Sequence, residues 1–157
     1  MSRLLNIGAL MSYEEKGSWV YLIVVTGTCA AYVAMVLSRA DGGPLTDVAY
    51  RSPMLWSMGV AMVLAIIVRI LVEMVRPSET YRKDVRDRDI GRFGEYVGGS
   101  VLAIGMLVPF ALTLLAADHF WIANAMYAAF AVASLVGAAA RVVAYRRGMG
   151  AWMSRTG

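Results

Sequence analysis

Four long runs with few or no charged residues dominate the sequence and leave few options for its fold. They cover residues 17–38, 53–75, 96–117 and 120–144. A helix of about 20 residues crosses the ~30 Å hydrocarbon core of a bilayer, and each run reaches that length. A mean hydropathy of +0.61, with only 17% charged residues, is too apolar for a soluble domain. The sequence therefore predicts an all-α membrane protein with four transmembrane helices.

The chain has room for one compact helical bundle and no second core. We expect residues 17–149 to form the transmembrane domain, between an N-terminal segment at 1–16 and a tail at 150–157. Pro77 stops the second helix. The loop at 76–95 is then predicted to be partly helical and to lead into the third span at residue 96, through a turn shaped by Gly91, Gly94, Gly98 and Gly99. Pro109 lies inside that span, where a membrane helix tolerates proline as a kink.

The third and fourth runs are separated only by Asp118 and His119, which predicts a tight hairpin between these helices. Asp118 is a good residue to cap the fourth helix. If both termini are cytoplasmic, all of the 15 basic residues except Arg39 and Arg51 lie at or near the cytoplasmic side. We therefore expect both ends inside and the hairpin outside.

The N-terminal segment differs from a cleaved signal peptide. Glu14, Glu15 and Lys16 follow its short apolar run, and no small-residue cleavage site lies between. The Met-Ser pair at residues 1–2 recurs at 11–12. The natural start is therefore Met1 or Met11, and we expect Met11.

Residues suited to metal binding or catalysis are scarce. Cys29 lies inside the first run and His119 in the hairpin, too far apart in this topology to share a metal. The sequence contains no nucleophile motif, no phosphate-binding glycine loop and no paired carboxylates on an apolar face. We expect no metal, no cofactor and no enzymatic activity. The basic residues follow the topology, so direct nucleic-acid binding is not expected either.

Three ionisable residues, Arg69, Glu73 and Arg141, lie within the predicted spans. A charge at the membrane centre costs roughly 2.5–3.5 kcal/mol, so such residues are usually paired or functional. Arg69 and Glu73 share one helix face, and Arg141 lies at a similar depth. They could form an ionic lock between helices two and four, or a cytoplasm-facing site for an ion or anionic ligand. Asn124 is a further polar residue within the fourth span.

Small residues recur every four positions in three of the runs, which predicts close helix packing. The packing could lie within one bundle or between two copies, and we expect a homo-oligomer. The residues concerned are Gly27 and Ala31, then Ser57, Ala61 and Ala65, then Ala125, Ala129, Ala133 and Gly137.

The segment 76–96 combines dense charge with several apolar side chains. Pairs three or four residues apart can satisfy much of the charge on a solvated surface. Alternatively, its apolar residues could lie along the membrane or receive a partner. The candidate partner-binding residues are Tyr81, Arg82, Asp84, Arg86, Asp87, Arg88, Asp89, Ile90, Arg92 and Phe93.

Residues 84–90, DVRDRDI, resemble the D-x-R-D-x-x-I signature before the third helix of a family of small bacterial and archaeal four-span membrane proteins of unknown function. The sequences EYVGGS, ADHFWIANAMY and AYRRG are similar to uncharacterised actinobacterial integral membrane proteins. The resemblance covers roughly residues 12–149. It implies a bacterial cytoplasmic (inner) membrane location and a small helix-turn-helix regulator as a candidate partner. It implies no catalytic residues.

These observations lead to two functional hypotheses. The first is a non-enzymatic integral membrane protein that binds a cytoplasmic partner through the charged segment 76–96. The alternative is a small oligomeric transporter or channel with a polar site at Arg69, Glu73 and Arg141 that faces the cytoplasm.

Overall fold

The structure, a computed structural model, describes residues 13–74 and 85–147, without the side chains of 13–16, 69, 72, 73, 85–87 and 147. The described chain is all-helical, as predicted. Its α-helices are α1 (Tyr13–Ala40), α2 (Arg51–Met74), α3 (Val85–Gly105), α4 (Leu107–Leu114) and α5 (His119–Arg147). A short 3-10 helix, Leu45–Asp47, lies between α1 and α2.

Within residues 13–74 and 85–147, four helical stretches are long and apolar enough to cross a membrane, in agreement with the four predicted. Spans 1 to 4 are Gly17–Ala40, Arg51–Val68, Arg88–Leu114 and His119–Arg146. Large apolar side chains on their outer faces are widely exposed, for example Trp56 (72%) and Ile104 (69%). Such exposure is expected where lipid, rather than water, surrounds the helices. The architecture indicates a multi-pass membrane protein.

Span 3 consists of two helices, α3 and α4, with a break at Met106. Pro109 accounts for the break because it has no N–H to donate to the carbonyl of Gly105, four residues earlier. Regular bonding continues on both sides, with Met106 N to Leu102 O at 2.9 Å and Phe110 N to Met106 O at 3.2 Å. The helix of span 3 is thus interrupted one turn before Pro109, where the sequence suggested a kink.

The helix that contains span 3 begins within the segment 76–95, which was expected to be partly helical. α3 is continuous from Val85 to Gly105, without the turn expected at its glycines. Glycine is a poor helix former in isolation, by about 1 kcal/mol relative to alanine. Here Gly94 and Gly98 lie against α5, and close packing of the two helices outweighs this low propensity.

Small residues hold α3 and α5 close together. A Cβ added to Gly98 would lie 3.1 Å from the carbonyl oxygen of Ala133, and one added to Gly137 would lie 2.9 Å from that of Gly94. Ala133 is only 6% exposed. The small stripe of span 4 thus packs within the chain, against glycines that the sequence analysis assigned to a turn. Close approach of this kind increases van der Waals contact between helices in lipid.

The spans pack in the order 2, 1, 4, 3. α2 packs on α1, α1 on α5, and α5 on both α3 and α4. Within the described residues, α2 and α3 make no extended contact. α2 and α3 therefore lie at the two ends of a row of helices, and α2 also reaches α5 through the side chain of Ser57.

The hairpin between α4 and α5 is short, and both helix ends are capped. Ala116 has a left-handed φ of 52°, with Ala116 N bonded to Thr113 O and Ala117 N bonded to Leu112 O. These two bonds form a Schellman motif, which satisfies the last carbonyls of α4. The amide of Phe120 donates to Asp118 Oδ1 at 2.7 Å, so the predicted cap on α5 is confirmed.

The connection between α1 and α2 lies at the same end of the molecule as this hairpin, which we call the hairpin end. Val48, from the connection, packs in a buried cluster with Tyr32 and Phe120. The ring of Tyr50 meets that of Phe120 edge to face, with centroids 5.1 Å apart. We call the opposite end, where α3 begins and α5 ends, the loop end.

Candidate functional site

The charged segment enters the described structure at Val85, as the first turns of α3. Arg88 and Arg92 are exposed, while Asp89 and Phe93 are half-buried. Ile90 is fully buried, so it anchors the segment inside the fold instead of facing a partner. Among the other predicted partner-binding residues, Tyr81, Arg82 and Asp84 lie outside the described residues, and Arg86 and Asp87 outside the described side chains.

The exposed arginines lie on a helix that packs closely against α5. α3 and α5 run antiparallel, with Gly94 opposite Arg141 and Gly98 opposite Gly137. From Val85 to Leu114, α3 and α4 together are about 45 Å long at 1.5 Å per residue, longer than the ~30 Å bilayer core. Arg88 and Arg92 therefore lie at the loop end, near or beyond the membrane boundary.

Trp19 and Arg146 mark this boundary on spans 1 and 4. The guanidinium carbon of Arg146 lies 5.4 Å from the centroid of the Trp19 ring, a cation–π contact. Tryptophan and arginine both favour the interface between membrane and water. The plane through Trp19 and Arg146 is thus a depth reference for the other polar groups.

Arg141 lies about 7–8 Å below Arg146 along α5, inside that plane. Its side chain crosses the face of Gly94, where an added Cβ would come within 3 Å of three Arg141 atoms. Arg141 Nε is buried and has no hydrogen-bond partner in the part of the chain that the structure describes. The side chains of Arg69 and Glu73 lie outside the description, so the proposed contact among the three residues remains a prediction.

Asn124 serves a different purpose from Arg141. It lies about 25 Å away along α5, near the hairpin end. Its Oδ1 accepts a 2.6 Å hydrogen bond from the Tyr32 hydroxyl, and its Nδ2 donates to the carbonyl of Phe120 at 2.8 Å. Both ends of the amide are satisfied, so Asn124 links α1 to α5 and does not join the group around Arg141.

A second polar group lies where spans 1, 2 and 4 meet, and the sequence analysis missed it. Ser57 Oγ lies 3.1 Å from the hydroxyl oxygen of Tyr127, to which it can donate. The Tyr127 hydroxyl donates in turn to Cys29 Sγ at 3.6 Å. The available signal was the position of Tyr127, which lies well inside span 4, away from the ends where membrane tyrosines usually occur.

A cleft of about 220 Å³ adjoins these three side chains, and we call it the lateral cleft. Residues of α1, α2 and α5 line it. Besides Ser57, Tyr127 and Cys29, its lining residues are Tyr21, Val25, Thr28, Met58, Ala61, Met62, Ala65, Phe130, Ala131 and Ser134. The small stripe of span 2, Ser57, Ala61 and Ala65, therefore borders open space instead of a tightly packed helix.

The described residues contain no group of three or more His, Cys, Asp or Glu side chains placed to hold a metal ion. Cys29 lies in span 1 and His119 at the first position of α5. The polar groups that the structure brings together are hydroxyls, one thiol, one amide and Arg141, which suit hydrogen bonding and anion contact.

No protein-family model matches the chain, and neither a curated protein nor a solved structure matches it significantly. The resemblance noted for DVRDRDI therefore stays a prediction.

Proposed function

We propose that the chain is a non-enzymatic protein of the bacterial cytoplasmic (inner) membrane that binds a soluble cytoplasmic partner through the charged segment at the start of span 3. One observation carries the proposal: Ile90 is fully buried, while Arg88 and Arg92 on the same helix are exposed. Two arginines one helical turn apart are thus held in fixed positions by a packed helix. Preorganised charges of this kind favour specific docking, because less side-chain and backbone freedom is lost on binding.

The partner that fits this surface presents acidic groups to the arginine pair. Arginine offers paired donors that match carboxylates in two parallel hydrogen bonds. The family resemblance adds a small helix-turn-helix regulator as the candidate partner. The proposed binding segment also includes residues 76–87, whose side chains lie outside the description.

Charge reversal of single arginines tests the proposal. We expect Arg92→Glu and Arg88→Glu to remove a stoichiometric polypeptide that co-purifies with the native protein from its own membranes. Arg51→Glu is the matched control because Arg51 is exposed at the opposite end of the molecule. Identical sets of bound proteins for all three variants, measured by quantitative mass spectrometry, would contradict the proposal.

The proposed orientation, with both termini in the cytoplasm, rests on the positive-inside rule. It is tested by cysteine labelling in a Cys29→Ser background. Asp47 and Arg88 are both exposed, one at the hairpin end and the other at the loop end. A cysteine at 47 should react with an impermeant maleimide in intact cells, and one at 88 only after the membrane is opened. The reverse pattern would invert the topology.

A homo-oligomer forms part of the proposal. Spans 2 and 3 lie at the two ends of the helix row, so each leaves one side for lipid or for a second copy. Lipid-soluble cross-linking in native membranes should yield a discrete dimer or higher species at low expression. A ladder that depends only on protein concentration would argue for a monomer.

The second candidate function is an oligomeric transporter or channel with a cytoplasm-facing polar site at Arg69, Glu73 and Arg141. The buried Nε of Arg141 favours it, since buried polar atoms normally have a partner and an anionic ligand could supply one. We expect Arg141→Gln or Glu73→Gln to alter anion flux in proteoliposomes if this function holds. A native protein that transports nothing would exclude it for the ions tested.

A further inference from the structure

The lateral cleft has one polar end, formed by Tyr127, Ser57 and Cys29. The Tyr127 hydroxyl donates to a thiol sulfur at 3.6 Å, and sulfur is a weak acceptor. In an apolar environment a buried donor gains more from a strong acceptor such as a carbonyl oxygen. The cleft therefore presents a phenol that an acceptor-bearing ligand would engage better than Cys29 does.

The depth of this polar end excludes an ordinary phospholipid carbonyl as the acceptor. Cys29 lies about 15 Å along α1 from Trp19 and about 17 Å from Ala40 at the hairpin end, while Tyr127 lies about 12 Å from the first residue of α5. Both positions are inside the ~30 Å hydrocarbon core. Ester carbonyls of phospholipids stay near the headgroups. An acceptor at the depth of Tyr127 must belong to a molecule that is itself soluble in the membrane interior.

The cleft opens toward the lipid-facing surface. Met62 and Phe130 line it and are 67% and 50% exposed. A ligand can thus enter from the bilayer without crossing water. The volume of about 220 Å³ is below the roughly 300–1,000 Å³ of pockets for drug-sized molecules. A cleft of this volume can hold one ring system, while an aliphatic chain attached to the ring would extend into the surrounding lipid.

We propose that the lateral cleft binds the ring of a lipid-soluble carbonyl compound of the quinone class. The Tyr127 hydroxyl turns from Cys29 to donate to one ring carbonyl. Met58, Met62 and Phe130 contact the ring, as sulfur and aromatic side chains do favourably. This inference is independent of the partner-binding proposal, since the cleft lies on other spans than the exposed arginines.

Direct binding of a quinone to the full-length protein tests the proposal. The probe is tritiated 2,3-dimethyl-1,4-naphthoquinone, which has no free ring position for reaction with a thiol. Binding to the protein in nanodiscs is measured against empty nanodiscs, which report partition into lipid. We expect saturable binding of one probe per chain. Tyr127→Phe should weaken it about tenfold, the loss of one good hydrogen bond.

Three controls distinguish binding at a specific site from non-specific hydrophobic association. Tyr96→Phe removes the same hydroxyl from an exposed tyrosine on α3 and should leave binding unchanged. Carbonyl-free 2,3-dimethylnaphthalene should compete poorly. Ala61→Leu, which fills the cleft, should abolish binding, and its folding is checked by circular dichroism and gel filtration. Non-saturable binding, equal affinity for the two Tyr→Phe variants, or equal competition by the hydrocarbon would each overturn the proposal.

Discussion

The close approach of α3 and α5 predicts opposite tolerance at two adjacent glycines. Gly98 faces α5, and a Cβ there would lie 3.1 Å from Ala133 O and 3.4 Å from the Cα of Gly137. Gly99 is exposed, and a Cβ there would meet nothing within 4 Å. The two residues share a helix and a depth. Gly98→Leu and Gly99→Leu thus differ only in the direction of the new side chain.

The expected difference follows from the atoms that the new side chain would meet. Both changes replace glycine by a better helix former, a gain of roughly 1 kcal/mol that cancels in the comparison. At Gly98 the opposing atoms belong to the backbone, so no side-chain rotation relieves the overlap. Overpacking of this kind costs about 1–3 kcal/mol. For a chain of this size that corresponds to a lowering of the unfolding midpoint by about 2–12 °C.

Cys29 provides the assay. It is the only cysteine in the chain and is half-buried, so a fluorogenic maleimide reports its exposure on heating in detergent. Gly98→Leu should unfold about 2–12 °C below Gly99→Leu, and Gly99→Leu at or above the native protein. Equal midpoints for the two variants would refute the packing of α3 on α5 described above.

Three further changes can be followed by the same maleimide assay. Asp118→Ala should cost about 0.5–2 kcal/mol because it removes the cap on α5, while Asp118→Asn should retain most of the stability. Ala116→Gly should stabilise by about 1 kcal/mol, since glycine adopts a φ of 52° without the strain of a Cβ; a lowered midpoint would contradict this. Tyr32→Phe should cost about 0.5–1.5 kcal/mol through loss of the bond to Asn124, whereas Tyr96→Phe, at an exposed site, should be neutral; equal effects would argue against that bond.

Features that depend on neighbouring residues were predictable. The number of spans follows from the length and hydropathy of the apolar runs. In lipid the backbone N–H and C=O groups of each run must bond to one another, which a helix achieves. The hairpin and the Asp118 cap follow from a two-residue separation and a good capping residue. The break between α3 and α4 follows from the missing N–H of Pro109.

Features that depend on contacts between distant residues were mostly missed. The low helix propensity of glycine predicted a turn at residues 94, 98 and 99. Such propensities are measured without a neighbouring helix, so they take no account of packing between helices. Two of these glycines instead face α5. α3 is accordingly continuous from Val85 to Gly105, without the expected turn.

Candidate site residues show the same division. The exposure of Arg88 and Arg92 agrees with their charge, but the burial of Ile90 required the position of α3 relative to its neighbours. The pairings of Tyr32 with Asn124 and of Tyr127 with Cys29 each join residues more than ninety positions apart. A single sequence contains no local pattern for such pairs.

The amino-acid sequence by itself determined the class of protein, the four helices and the ends of several of them, because hydropathy, proline and capping act over one helical turn or one span. Only the tertiary structure decided the order of the helices in the row, the α3–α5 glycine contact and the lateral cleft. In lipid the hydrophobic effect does not choose which helix faces meet, so that choice rests on shape and on individual hydrogen bonds between distant residues.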